Sequence, residues 1–305
     1  MKKTVTLVVP FLNEEGNLPE LYSRLSTVFA GRNEEAEFLF VDDGSTDGSV
    51  QCLEKMRQKD PRVKILQLSR NFGHQIAITA GMDHADADAV VIIDADLQDP
   101  PEVIADLLAK WHEGFEVVYA VRRSREGETW LKKFLAASFY RVFHQLARVN
   151  VPMDAGDFRL VDRKVVDALK EVRELHRFMR GLTCWVGFRQ CAVEYDRAAR
   201  HAGETKYPVW KSLRLAFDAI TSFSAAPLRW MTVLGALIAF SGFIQGASVV
   251  VGRVLHPESY ASGWATVVAL ILFMAGVQLL CLGLVGQYIS RIFEESKRRP
   301  LYFLR

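Results

Sequence analysis

The stretch Val90-Val-Ile-Ile-Asp94-Ala-Asp96-Leu-Gln98-Asp99 guides the interpretation of the rest of this sequence. Its four β-branched residues predict a buried strand of a parallel sheet, and two carboxylates follow where that strand ends. Ligands of open α/β sheets bind beyond the carboxyl ends of the strands. Because side chains alternate along an extended chain, we expect Asp94, Asp96 and Gln98 to share one side. Their hard oxygen atoms suit Mg²⁺ or Mn²⁺ bridging a diphosphate, and an acidic turn that ends a strand is the alternative.

Strand-like and helix-like runs alternate through the first half of the chain. The strand-like runs are Thr4–Val9, Glu37–Val41, Val63–Leu68, Ala89–Ile93 and Glu116–Val121. Helical spacing marks Ile76–Met82, and a longer helix is expected at Thr129–Val149. This alternation predicts an α/β fold with βαβ units and a mostly parallel sheet. No Gly-x-Gly-x-x-Gly follows the first strand and no Gly-x-x-x-x-Gly-Lys-Ser/Thr occurs, so neither a dinucleotide-binding Rossmann domain nor a P-loop NTPase is indicated.

The composition of the chain excludes one class of partner and indicates a reducing compartment. A net charge of +2 over 305 residues, with Lys and Arg spread along the chain, does not favour nucleic acid as a partner. The four cysteines have neither metal-binding spacing nor a paired framework. We therefore expect them to be reduced thiols.

Two long uncharged runs occupy the last quarter of the chain, Trp230–Gly252 and Ala261–Ser290. Each exceeds the roughly 20 apolar residues that cross a bilayer, so we expect transmembrane helices at about 230–252 and 264–287. The segment 209–227 has the spacing of an amphipathic helix, which favours a position in the membrane interface. A helix packed on the domain core is the alternative for that segment.

Positive charges flank the two uncharged runs unevenly. Lys and Arg precede the first run and follow the second, whereas the loop between them holds only Arg253. The positive-inside rule therefore predicts a multi-pass protein whose large domain and both termini are cytoplasmic. The expected organisation is a cytoplasmic domain at 1–208, a juxtamembrane amphipathic helix at 209–227, a two-helix hairpin at 228–290 and a basic tail at 291–305.

Short motifs occur in order along nearly the whole chain. They are Val8-Val-Pro-Phe-Leu-Asn-Glu-Glu15, Phe40-Val-Asp-Asp-Gly-Ser-Thr-Asp47, Ser69-Arg-Asn-Phe-Gly73, Ile93-Asp-Ala-Asp-Leu-Gln-Asp-Pro100, Gly156-Asp-Phe-Arg159, Phe178-Met-Arg-Gly181, Trp185-Val-Gly-Phe188 and Gly203-Glu-Thr-Lys-Tyr207. Together with the hairpin and Lys297-Arg-Arg-Pro300, they resemble glycosyltransferase family 2, whose members have the Rossmann-like GT-A fold. Within that family the chain is similar to the polyprenyl-phosphate glycosyltransferases, which include bactoprenol glucosyltransferases and dolichol-phosphate mannose synthases.

The resemblance assigns a nucleotide-binding role to residues after the first two strands. It places the base and ribose near Pro10, Asn13 and Glu15, although Glu15 could equally be a first-turn carboxylate of a helix. Asp43 is the expected nucleobase contact. Asp94 is either a third metal ligand beside Asp96 and Gln98 or a contact to the sugar and ribose.

The resemblance also implies cationic groups that neutralise the leaving diphosphate together with the metal. Arg122 and Arg125 lie just past the fifth strand, and Arg200 and Lys206 lie in a glycine-containing loop. We expect these four residues to bind phosphate, and solvated surface side chains are the alternative.

Asp157 in the Gly-Asp-Phe-Arg motif is the candidate that positions or deprotonates the acceptor, while Asp96 acts in catalysis through the metal. A structural salt bridge between Asp157 and Arg159 is the alternative interpretation. An acceptor phosphate is already anionic at neutral pH, so the chemistry does not require a strong base.

The resemblance therefore implies inverting, metal-dependent transfer of a hexose from a UDP-sugar to polyprenyl phosphate. Glucose is the first choice of sugar, undecaprenyl phosphate the first choice of acceptor, and the cytoplasmic face of a bacterial inner membrane the expected location. Alternative donors are GDP-mannose and a UDP-aminoarabinose derivative. A processive polysaccharide synthase and a non-catalytic nucleotide-binding membrane sensor are weaker alternatives. Glycines in the predicted spans permit close helix packing, which allows a homo-oligomer.

Overall fold

The computed structural model describes residues 2–123, 155–196, 226–255 and 263–305. By its internal contacts the chain divides into two units, one of Met1–Val209 with Arg299–Arg305 and one of Trp210–Arg298. The predicted helix at Thr129–Val149 lies outside the described residues, as does the amphipathic segment up to residue 225.

The first unit is built on a seven-stranded sheet with the strand order β3-β2-β1-β4-β6-β5-β7. The strands are β1 Thr4–Phe11, β2 Glu35–Asp42, β3 Val63–Gln67, β4 Ala89–Ile92, β5 Val117–Arg122, β6 Ala155–Asp162 and β7 Gln190–Tyr195. Among the described strands, only β6 runs antiparallel to its neighbours β4 and β5. The prediction of a mostly parallel α/β sheet is confirmed, and each of the five predicted strands coincides with one of β1 to β5. Strands β6 and β7 were not predicted from the sequence.

Six described α-helices and a short 3-10 helix at Pro101–Val103 belong to this unit. The α-helices are α1 Leu18–Phe29, α2 Ser49–Lys59, α3 His74–His84, α4 Ile104–His112, α5 Arg163–Glu171 and α6 Met179–Trp185. The helix α1 shows why the sequence folds this way, because its buried residues Leu18, Leu21, Leu25 and Phe29 recur every three or four positions. They pack into the core cluster that also contains the apolar side chains of β1 and β4.

The centre of the sheet determines where a site can form. Every residue of β4 is buried, as are seven of the eight residues of β1. A strand covered on both faces requires such a continuous apolar run. The polar residues that begin at Asp94 therefore emerge at the middle of the sheet, at its carboxyl edge.

The antiparallel strand β6 brings a second motif to the same edge. Its register pairs Ile92 of β4 with Arg159 of β6. Because the two strands run in opposite directions, two further residues along them lead to Asp94 on one and Asp157 on the other. The topology therefore brings two carboxylates together that are distant in sequence.

The second unit contains two long helices, α7 Ala226–Leu255 of 30 residues and α8 Trp264–Ser296 of 33 residues. Large apolar side chains such as Phe243 and Leu280 are exposed on them. In the described part of the chain, Phe273–Ser296 is long and apolar enough to cross a membrane, and Trp230–Gln245 is a shorter apolar stretch.

Substitution of Gly81 should destabilise the sheet unit, because α3 packs closely on the sheet at this residue. A Cβ atom at Gly81 would lie 2.2 Å from Cγ1 of Val8 and 3.1 Å from Cγ2 of Val41. These branched side chains are buried and cannot move aside easily, so Gly81→Ala should lower the free energy of unfolding by about 1–3 kcal/mol. Urea denaturation of the purified chain would measure this.

Gly16→Ala is the matched control, because a Cβ atom at Gly16 meets nothing within 4 Å. Equal stability of the two variants would contradict close packing of α3 on β1 and β2.

Candidate active site

The segment that follows β4 alternates between buried and accessible side chains. Ala95, Leu97 and Asp99 are buried, whereas Asp94, Asp96 and Gln98 are partly accessible. Asp94, Asp96 and Gln98 are therefore accessible together, and the expectation that they share one side stays a prediction. The alternation persists beyond the end of β4 although Leu97 has a φ of 58°.

Asp94 occupies an environment that disfavours its negative charge. Its Oδ1 atom is buried and has no hydrogen-bond partner among the described residues, and Nε2 of His74 lies 3.4 Å from it. Burial raises the pKa of Asp94 to about 6; His74 opposes this shift, and the neighbouring carboxylates of Asp157, Asp99 and Asp96 add to it. A cation placed beside this oxygen would offset both the desolvation cost of the carboxylate and its repulsion by neighbouring carboxylates. The environment therefore fits a bound metal ion.

Asp96 and Gln98 adjoin that environment, and the backbone N–H of Gln98 donates to Oδ1 of Asp96 at 3.1 Å. Within the described ranges no group of three or more His, Cys, Asp or Glu side chains could hold a metal ion alone. Mg²⁺ usually binds through one or two carboxylates plus substrate phosphates and water. The side chains present fit such a site, which a bound diphosphate would complete.

Asp157 is 5% exposed and is held by three neighbouring side chains. Arg180 donates from Nε to Oδ1 at 3.0 Å and from Nη2 to Oδ2 at 3.3 Å. Nε2 of Gln75 donates to Oδ2 at 3.1 Å, and Nε2 of His74 lies 3.4 Å from the same oxygen. Burial acts to raise the pKa of Asp157, but the hydrogen bond from His74 and the charges of Arg180 and Arg159 hold it well below its usual range.

The ion-pair partner of Asp157 was not the one considered in the sequence analysis. Arg159 instead donates to the carbonyl oxygen of Gly156 at 2.7 Å and to the hydroxyl of Thr183. Arg180 lies in Phe178-Met-Arg-Gly181, a motif that was recognised without a role for its arginine.

His74 and Gln75 were not predicted as site residues. They form the first turn of α3, directly after the motif Ser69–Gly73. Gln75 also accepts a hydrogen bond from the backbone N–H of Met179 through Oε1 at 2.9 Å, so it links the starts of α3 and α6 to Asp157. Burial acts to lower the pKa of His74, but Asp157 and Asp94 raise it above its ordinary value.

The loops after β1 and β2 are joined by side-chain hydrogen bonds. Oδ1 of Asn13 accepts from the N–H of Thr46 at 2.8 Å, and the N–H of Asn13 donates to Oγ of Ser45 at 3.0 Å. Oε2 of Glu15 accepts from the N–H of Gly48 at 3.1 Å, which places the carboxylate beside the start of α2. These contacts join the two loops into one rim of the candidate site. The contacts of Asn13 and Glu15 with the ribose and base stay predictions.

Pro10 and Asp43 are buried beside that rim. Pro10 lies in β1 opposite Val41 of β2. The carboxylate of Asp43 accepts from the N–H of Phe72 at 2.7 Å and from the N–H of Gly73 at 3.0 Å. Burial raises the pKa of Asp43 although both amides lower it. Asp43 therefore holds the loop that leads into α3, and its contact with a nucleobase stays a prediction.

Arg122 is the only one of the four expected phosphate-binding residues in the described part of the chain. Its Nε donates to the hydroxyl of Tyr195 at 3.3 Å, and its Nη2 lies 3.9 Å from Oδ1 of Asp99. The hydroxyl of Tyr195 in turn donates to Asp99. This network anchors the segment Asp94–Asp99 to β5 and β7 through Asp99. Arg125, Arg200 and Lys206 lie outside the described residues.

Known proteins match this chain in both its sheet unit and its helical unit. Residues 6–170 match the family described as glycosyl transferase family 2, and residues 226–292 match the GtrB C-terminal hairpin. The chain is 50% identical to the uncharacterized glycosyltransferase YkcC of Bacillus subtilis (strain 168), over 98% of this chain and 92% of that protein. It is 40% identical to bactoprenol glucosyl transferase of Shigella phage SfV, over 99% of this chain and 98% of that protein.

The fold is similar to the crystal structure of mannosyl-3-phosphoglycerate synthase from Rubrobacter xylanophilus, with a TM-score of 0.50 and 18% identity over 77% of this chain and 75% of that one. The protein is therefore a glycosyltransferase with a GT-A-like fold. It belongs to glycosyltransferase family 2, as the motifs predicted.

Loss of the negative charge of Asp157 should destabilise the protein in a pH-dependent way. Asp157→Asn leaves Arg180 without its buried partner, which should cost about 3 kcal/mol of unfolding free energy at pH 7. Because the folded-state pKa is depressed, the stabilisation is fully present above the unfolded pKa of about 4 and is lost as the pH falls below it. The gap between wild type and variant should therefore shrink by about 1 kcal/mol at pH 3.

Denaturation of both proteins at the two pH values measures this gap. Asp106→Asn on the exposed face of α4 should change stability by less than about 0.5 kcal/mol at either pH. A gap for Asp157→Asn that is independent of pH would contradict the ion pair.

Proposed function

We propose that the protein transfers a hexosyl unit, with glucose as the first candidate, from a UDP-sugar to a polyprenyl phosphate with inversion at the anomeric carbon. The observation that carries this proposal is the full-length similarity to a bactoprenol glucosyl transferase, which includes both the sheet unit and the hairpin. The environment of Asp94 supports it, because a buried carboxylate oxygen that accepts no hydrogen bond from the described residues suits a metal ion that also binds a diphosphate.

Asp96, Gln98 and Asp94 would hold Mg²⁺ or Mn²⁺ in this proposal. When bound, the ion neutralises charge that develops on the leaving diphosphate. Arg122, and with it Arg125, Arg200 and Lys206, would bind the phosphates on the donor side. Asn13, Glu15, Pro10 and Asp43 would form the pocket for the nucleoside.

Asp157 would act by positioning and not by accepting a proton. A carboxyl group whose pKa lies well below its usual range is a weak base, and a lipid phosphate is already anionic. The carboxylate instead fixes Arg180, whose side chain is 33% exposed and pairs with Asp157 through two hydrogen bonds. A fixed guanidinium group is suited to orient the acceptor phosphate for attack on the side opposite UDP.

The helical unit would hold the site at the level of the lipid headgroups. Helices of 30 and 33 residues extend for about 45 and 50 Å at 1.5 Å per residue, which exceeds the roughly 30 Å hydrocarbon core. We propose that both cross the membrane and that the domain at 1–208 lies in the cytoplasm of a bacterium, with residues 209–227 in the interface. A tethered enzyme meets a polyprenyl phosphate without extracting its tail from the bilayer.

Asp96→Ala should abolish sugar transfer without unfolding the protein. Removal of a charge that stabilises the leaving group typically costs about 100-fold or more in rate. The measurement is transfer of labelled sugar to polyprenyl phosphate in membranes that contain the variant and excess Mn²⁺.

Asp106→Ala provides an exposed carboxylate control on α4 and should retain the rate of the wild type. Full transfer by Asp96→Ala would refute the metal assignment.

The donor itself is tested with purified protein, polyprenyl phosphate and a panel of UDP-glucose, UDP-galactose, GDP-mannose and a UDP-aminoarabinose derivative. We expect UDP-glucose to give the highest kcat/KM and a lipid product heavier by one hexosyl unit. Mass spectrometry of the lipid fraction identifies the product. A lipid product from another donor alone would reject glucose, and nucleotide binding without any lipid product would favour a sensor.

A further inference from the structure

The segment Arg299–Arg305, which follows α8 in the chain, belongs to the sheet unit. We call it the post-hairpin segment. Leu304 forms an antiparallel bridge with Leu68, the residue after β3. The N–H of Ser69 donates to the carbonyl oxygen of Phe303 at 2.8 Å, and the N–H of Arg305 donates to that of Gln67 at 3.0 Å. The segment therefore pairs with the outer edge of β3 at the point where that strand ends.

Side chains fix the post-hairpin segment as well. Leu301 is 7% exposed. The hydroxyl of Tyr302 donates to Oδ2 of Asp83 at 3.0 Å, and the same carboxylate accepts from Arg173 at 2.9 Å. Asp83 lies in the last turn of α3. The segment thus contacts both the end of β3 and the end of α3.

The chain between the end of β3 and Asp83 passes beside Asp43, the predicted nucleobase contact. It contains the loop Ser69–Gly73, whose amides at Phe72 and Gly73 donate to Asp43. The turn at Gly44 packs directly on this loop. Its φ is 84°, and a Cβ atom there would lie 2.8 Å from the backbone nitrogen of Asn71. A shift of the loop would therefore displace Asp43 and Gly44.

We propose that the post-hairpin segment is a positioning element of the donor site. By pairing with the end of β3 and contacting Asp83, it holds the loop Ser69–Gly73 where the loop binds Asp43. The affinity for the nucleotide sugar then depends on residues that come after both long helices in the chain. This inference rests on the proposed function, because it takes the pocket beside Asp43 as the binding site of a nucleoside diphosphate.

Arg305→Pro and Arg305→Ala form a matched pair that tests the proposal in the full-length purified protein. Both remove the exposed arginine side chain, but only proline removes the N–H that donates to Gln67. In the proline variant, hydrogen exchange at the amides of Phe72 and Gly73 should accelerate about fivefold, as expected for one lost hydrogen bond. The KM for UDP-glucose should rise by about the same factor, while kcat and the KM for polyprenyl phosphate stay within about twofold.

Tyr302→Phe is a second variant, since it removes only the hydroxyl that binds Asp83. It should shift exchange at the same loop and raise the KM for the donor in the same direction. It keeps the test decisive if the proline variant does not fold.

Three results would overturn the proposal. One is unchanged exchange at Phe72 and Gly73 in both Arg305→Pro and Tyr302→Phe. Another is a lower melting temperature with an unchanged KM for the donor, which would indicate a structural role alone. The third is equal behaviour of Arg305→Ala and Arg305→Pro.

Failure of the proposed function gives a different result. The wild type would then form no lipid-linked product from any UDP-sugar. The exchange measurements need no donor, so they still decide whether the segment holds the loop.

Discussion

The antiparallel placement of β6 beside β4 is the constraint on which the candidate site depends. The register Ile92 to Arg159 brings Asp157 to the point where Asp94 leaves the sheet, where Asp157 is buried and Asp94 is partly buried. Two negative charges so close together repel each other and require compensating cations. His74 lies 3.4 Å from both carboxylates, and the guanidinium of Arg180 pairs with Asp157. The starts of α3 and α6 are thereby tied to the edge of the sheet.

The two carboxylates respond to this environment in opposite directions. Asp157 has Arg180, Gln75 and His74 as partners, so its pKa lies below the usual range. Asp94 keeps a buried oxygen without a hydrogen bond among the described residues, and its pKa is raised. Paired acids whose environments differ in this way take different roles. The pattern suits Asp157 as a permanent anion that orients cationic groups and Asp94 as a group that a bound cation would stabilise.

Local patterns in the sequence were sufficient to predict β1 to β5, because buried parallel strands form continuous apolar runs that need no knowledge of their partners. They did not reveal β6, since Gly156-Asp-Phe-Arg159 places two charged residues in a strand. The residues that hold Asp157 were missed for a related reason. Gln75 and Arg180 reach it from positions 82 and 23 residues away, and no short-range periodicity reports such contacts. The prediction that Asp94, Asp96 and Gln98 share one side assumed an extended chain, whereas residues 95–97 turn away from strand geometry and Leu97 has a positive φ.

Pairing of Leu304 with Leu68 also has a consequence for biosynthesis. The partner of this sheet edge is translated only after both long apolar helices have been made. A nascent chain that has completed the sheet unit through β7 still exposes unpaired backbone groups beside Leu68, and such edges recruit foreign strands. Pairing at this edge therefore has to wait for the synthesis of Phe303 and Arg305. The protein thus matures in a fixed order, in which synthesis of the apolar hairpin precedes closure of the domain that does the chemistry.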